Sequence, residues 1–95
     1  MATWLSCVIS PGQFGGEYAV RGKTANGAEF SLFVPESEIE SETGKEEGPG
    51  WVRVTILAQK EDLVLVRLPR ATLENGETVT VKVGHVESRP ERQRA

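Results

Sequence analysis

Histidine, cysteine and aspartate each occur once in this chain of 95 residues, as His85, Cys7 and Asp62. That scarcity excludes the usual grouped chemistry. A zinc centre needs several Cys or His ligands, and nucleophilic catalysis needs a base beside its nucleophile. A single cysteine cannot form an intrachain disulfide. A free thiol fits a reducing compartment, which points to the cytoplasm. A Cys–His pair would require Cys7 and His85 to meet in space, whereas a lone cysteine in a strand usually serves as a small buried hydrophobe. Aromatic residues make up only 6% of the chain. No apolar run approaches the roughly 20 residues that a membrane-spanning helix needs. The opening Met-Ala-Thr-Trp-Leu-Ser-Cys-Val-Ile-Ser has no positive region before its short apolar segment. It reads as a first strand rather than a secretory signal.

The chain is long enough for one domain with one modest core. Hydrophobic residues make up 38% and charged residues 26%, as in soluble globular domains. The formal net charge is −3, and the acidity is local. Glu36, Glu38, Glu40, Glu42, Glu46 and Glu47 stand against Lys45 alone in residues 36–47. This stretch has no aspartate and no Asp-x-Asp-x-Asp-Gly loop, so calcium is not expected. Ser37 and Thr43 each precede a glutamate by three residues, a pattern too common to carry weight. No metal and no cofactor are expected.

What is abundant is β-type alternation. Six strands are predicted, at Trp4–Ile9, Glu17–Thr24, Ala28–Val34, Trp51–Gln59, Leu63–Leu68 and Glu77–Val83. Between the second and third, a two-residue Asn26-Gly27 turn would put charges on the face of Phe30, Leu32 and Val34. A three-residue Ala25-Asn26-Gly27 loop with left-handed Gly27 instead pairs Tyr18 with Val34, Val20 with Leu32 and Gly22 with Phe30. That register keeps the apolar residues on one face, and Phe30 then covers Gly22. In the next hairpin, pairing Gln59 with Leu63 sets Ile56 opposite Val66 and Leu57 opposite Leu65. A short helical turn is expected near residues 70–75, with Leu73 tucked in, before a left-handed Gly76.

Short strands, tight turns and no long helix predict an all-β fold, a small single-domain antiparallel β-barrel of about six strands. In architecture it resembles SH3-like barrels more than OB-type ones, and no family motif accompanies the resemblance. The barrel should occupy residues 1–86, with a mobile acidic loop at 36–50 and a polar, disordered tail at 87–95. The expected core is Tyr18, Val20, Phe30, Leu32, Val34, Val52, Val54, Ile56, Val64, Val66, Leu68, Val79, Val81 and Val83, with part of the first strand.

Function is sought in what remains outside. Trp51, Leu57, Leu63 and Leu65 are predicted on outward faces, with Phe33 on another strand and Arg53 and Arg67 suited to a rim. The expectation is a non-catalytic module that binds a protein partner or itself, and no membrane. Cover by the first strand, with Trp4, or by barrel curvature is the bland alternative for these residues. The competing function is nucleic-acid binding through outward Arg and Lys with Trp51 and Phe33 as stacking residues. The acidic loop and the acidic net charge oppose it.

Overall fold

The computed structural model describes residues 2–12, 15–41, 47–73 and 76–89. They form β1 (Ala2–Pro11), β2 (Glu17–Lys23), β3 (Glu29–Pro35), β4 (Ile39–Ser41), β5 (Gly48–Lys60), β6 (Leu63–Thr72), β7 (Gly76–Lys82) and β8 (Val86–Arg89). Single 3₁₀ turns lie at Glu36–Glu38 and Val83–His85. The fold is all-β and antiparallel, a curled half-barrel sheet with strand order β3-β2-β1-β5-β6-β7. β4 pairs with β5, and β8 with β1.

The first hairpin has the three-residue loop that the apolar pattern requires. Gly27 is left-handed, with φ 89°. The Thr24 N–H donates to the Ala28 carbonyl at 2.7 Å. The Thr24 hydroxyl donates to Asn26 Oδ1, and both oxygens accept from the Ala28 N–H. The register is Tyr18↔Val34, Val20↔Leu32 and Gly22↔Phe30. Val20, Leu32, Val34 and Phe30 are all buried.

β1 organises the sheet. One edge pairs with β5 from Thr3↔Val54 to Ile9↔Gly48. The other edge is shared: β8 takes Ala2–Leu5, and β2 takes Val8–Pro11. Leu5, Cys7 and Ile9 point into the core, which continues through Val52, Val54, Val64, Val66, Leu68, Val79 and Val81. The sheet curls far enough for its ends to touch. The Leu73 N–H donates to the Ser31 carbonyl and the Ala25 N–H to the Thr80 carbonyl, both at 2.8 Å.

Several expectations need correction. The acidic stretch is structured on both sides of its centre. Ile39 is buried, and β4 pairs Ile39↔Val52, Glu40↔Trp51 and Ser41↔Gly50. Residues 42–46 lie outside the described residues. The tail begins as a strand, because β8 pairs with β1 over Val86–Arg89, and residues 90–95 lie outside the description. No helical turn forms over Pro69–Thr72, where β6 continues, and Leu73 is exposed. Glu74 and Asn75 are not described. Ile56 and Val83, both expected in the core, are exposed. The paired register of β1 with β5 stops at Val54, so no strand lies beside Ile56 on that edge among the described residues. Val83 leaves the alternation of β7 by entering a 3₁₀ turn.

Candidate functional site

The β5–β6 hairpin carries most of the outward residues singled out by the sequence. Its turn has two residues, Glu61 and Asp62, and Glu61 has a left-handed φ of 56°. Lys60 therefore pairs with Leu63, Gln59 with Val64 and Ala58 with Leu65. The register then shifts between Ile56 and Ala58, which returns Ile56 to Val66 and Thr55 to Arg67. Leu57 is the extra residue at this bulge. The expected Ile56–Val66 pair is present. Leu65 faces Ala58 rather than Leu57, and Leu63 faces Lys60 rather than Gln59.

This geometry leaves apolar side chains of both faces partly in solvent. Ile56, Leu57, Leu63 and Val83 are 42%, 41%, 40% and 40% exposed. Leu65 is half-buried. Leu63 also pairs with Lys82, and the Val83 N–H donates to the Asp62 carbonyl at 2.8 Å. Val83 thus sits beside the hairpin turn. Sequence alternation placed Val83 and Ile56 inward, and nothing local signals that their cover is missing.

The other predicted residues form separate groups. Arg53 and Arg67 line one hollow of about 320 Å³ together with Glu38 and Glu77. Arg53 is half-buried, and its guanidinium lies 5.7 Å from the centre of the Trp4 ring. Trp4 itself is only 4% exposed and stands outside the main core cluster, on the outer face of β1. Trp51 is half-buried between Ser6 of β1 and Glu40 of β4. Phe33 is exposed on β3 opposite Ala19, and lines a third hollow with Arg70. The seven residues therefore do not converge on one patch. Leu57, Leu63 and Leu65 share the hairpin, Arg53 and Arg67 share a hollow, and Trp51 and Phe33 stand apart.

Sequence reasoning missed a further hollow, of about 720 Å³, lined by Ser6, Cys7, Val8, Arg21, Gly22, Lys23, Glu47, Gly48, Pro49 and His85. Its signal is a pair of residues 26 positions apart: an Arg21 guanidinium N–H donates to Glu47 Oε2 at 2.6 Å. Cys7 and His85 do reach one lining, but the thiol is buried and donates to the Gly50 carbonyl at 3.8 Å. Burial pushes its pKa up to about 12, and the Val52 backbone hydrogen bond acts in the opposite direction without overcoming this. A neutral thiol at physiological pH is a poor nucleophile.

Among the described residues, no group of three His, Cys, Asp or Glu side chains is placed to hold a metal ion. No described helix is long and apolar enough to cross a membrane. Comparison with protein-family models, with curated proteins and with solved structures finds no match to this chain.

Proposed function

We propose that this chain is a small non-catalytic binding module that engages another protein, or a second copy of itself, through the apolar surface of the β5–β6 hairpin. The observation that carries this reading is the exposure of Leu57 and Leu63, with half-buried Leu65 on the same face as Leu63, on the hairpin where β5 has outrun its pairing with β1. Exposed apolar groups that share a face favour being covered by a partner. Arg67, across from Thr55, would lie towards the polar rim of such an interface. The single free cysteine fits work in the cytoplasm.

The test is native mass by light scattering over a concentration series, with wild type beside Leu57→Glu. Leu57 is already solvent-exposed, so the glutamate variant should stay folded. A wild-type dimer that Leu57→Glu converts to monomer supports self-association. A wild-type monomer directs the search to a different partner, with Leu57→Glu as the control. A wild-type dimer unaffected by Leu57→Glu and Leu63→Glu overturns the hairpin as the interface.

The finer fold belongs to the same reading. β1 lies between β2 and β5, and the end of β6 returns to β3. A three-stranded meander followed by a crossing to the other edge of its first strand favours an OB-type barrel over an SH3-like one. This path also favours, as a second reading, single-stranded nucleic-acid binding on the outer face that holds Arg21, Lys23, Trp51, Arg53 and Phe33. Oligonucleotide binding that falls steeply with salt would support it, and no binding at low salt would remove it.

A further inference from the structure

We propose that the hollow between β1, β2 and the Val83–His85 turn receives an acidic peptide segment whose carboxylate takes the place of Glu47 on Arg21. This goes beyond the hairpin reading, since Leu57, Leu63 and Leu65 do not line the hollow. It arises where β1 changes partner. The β8 ladder ends at Leu5 and the β2 ladder begins at Val8, which leaves Ser6 and Cys7 between the two. The hollow of about 720 Å³ opens at that point.

Its lining has a defined chemistry. Arg21 and Lys23 supply two cations from β2, and His85 stands across from them. Val8 and Pro49 are opposite one another in the β1–β5 register and form an apolar floor. Gly22 and Gly48 add no side chain. A carboxylate already occupies the Arg21 guanidinium, with the Glu47 oxygen at 2.6 Å. The Arg21 and Glu47 side chains are 54% and 59% exposed, so solvent weakens their pair and an incoming carboxylate can exchange for it. A guanidinium is matched in shape to a carboxylate. The space greatly exceeds one such group and has an apolar floor, which suits the stem and neighbouring residues of an extended peptide beside a strand edge.

The experiment is an amide chemical-shift titration of the full ¹⁵N-labelled chain with the peptide acetyl-Val-Glu-Val-Glu-Gly-amide. The same peptide with glutamine for glutamate, inorganic phosphate and oligothymidylate serve as the other arms. The acidic peptide should shift the amides of Ser6, Cys7, Val8, Arg21, Gly22, Lys23 and Gly48. Glu47→Gln, which removes the internal competitor, should tighten binding several-fold. Arg21→Gln and the glutamine peptide should each weaken it by roughly tenfold or more. Retained spectral dispersion reports that both variants remain folded. Weaker or unchanged binding in Glu47→Gln overturns the proposal, as does equal binding of the glutamine peptide or no shift in any arm. Equal shifts from phosphate would make the hollow a general anion site, and tighter binding of oligothymidylate a nucleic-acid site. Either result also overturns the proposal.

Discussion

Phe30 lies directly over Gly22, its partner across the β2–β3 hairpin. A Cβ added at Gly22 would stand 2.5 Å from Phe30 Cζ, where no real contact is tolerated. The missing side chain on one strand is the seat of the ring on the other. Gly22→Ala should therefore destabilise the fold by about 1–3 kcal/mol, through displacement of a buried ring. Gly22→Ala combined with Phe30→Leu should lose less than the two single effects summed. Urea denaturation of the double-mutant cycle checks this.

Gly50 is a stricter case. It is buried between β1 and β4, and an added Cβ would meet the Glu40 carbonyl oxygen at 2.5 Å and Ile9 Cγ1 at 2.6 Å. A backbone oxygen held in a ladder cannot move aside as a ring can. Gly50→Ala should cost about 3 kcal/mol, the upper end of overpacking losses, or detach β4 from β5. Hydrogen exchange at the β4 amides separates the two outcomes, since detachment would leave them unprotected while the rest of the sheet stays protected.

Cys7 yields a prediction with a definite pH window. Burial raises its thiol from an ordinary pKa of 9.0 to about 12 in the folded chain. Above pH 9 the unfolded chain loses this proton while the folded chain keeps it, so rising pH favours unfolding. The stabilising contribution is fully present below pH 9 and is lost progressively towards pH 12. Cys7→Ala should flatten the decline in thermal stability across that window. In the wild type, alkylation of Cys7 at neutral pH should be slow and should accelerate on addition of urea.

The Arg53–Trp4 contact joins β5 to β1 on the outer face. Arg53→Ala should destabilise the fold by about 0.5–2 kcal/mol, through loss of a partly desolvated cation–π contact and of the covering side-chain stem. In a Trp51→Phe background, where Trp4 is the sole tryptophan, the same change should shift its emission to the red. Unchanged emission would show that Arg53 does not shield the ring.

The β2–β3 hairpin was legible in sequence down to its loop and register. Its two strands are joined by three residues, and only one register puts Tyr18, Val20, Phe30, Leu32 and Val34 on one face. The β5–β6 hairpin was less so. Its apolar alternation is compatible with an unbroken ladder. A two-residue Glu61-Asp62 turn and a bulge at Leu57 reach the same Ile56–Val66 pair by a different route. Local patterns fix which face a strand buries only if a neighbour covers that face.

By itself, the sequence determined the all-β class, the six longer strands and most of the inward faces. Those follow from period-two alternation and from turn residues, which act over a few positions. The tertiary structure alone decided the rest. It placed β4 on β5 and β8 on β1, buried Trp4 outside the main core, left Ile56 and Val83 partly in solvent, and joined Arg21 to Glu47 across β1. Each of these depends on where distant segments lie side by side. The closure of a curved sheet sets that arrangement, and no residue pattern within a single strand encodes it.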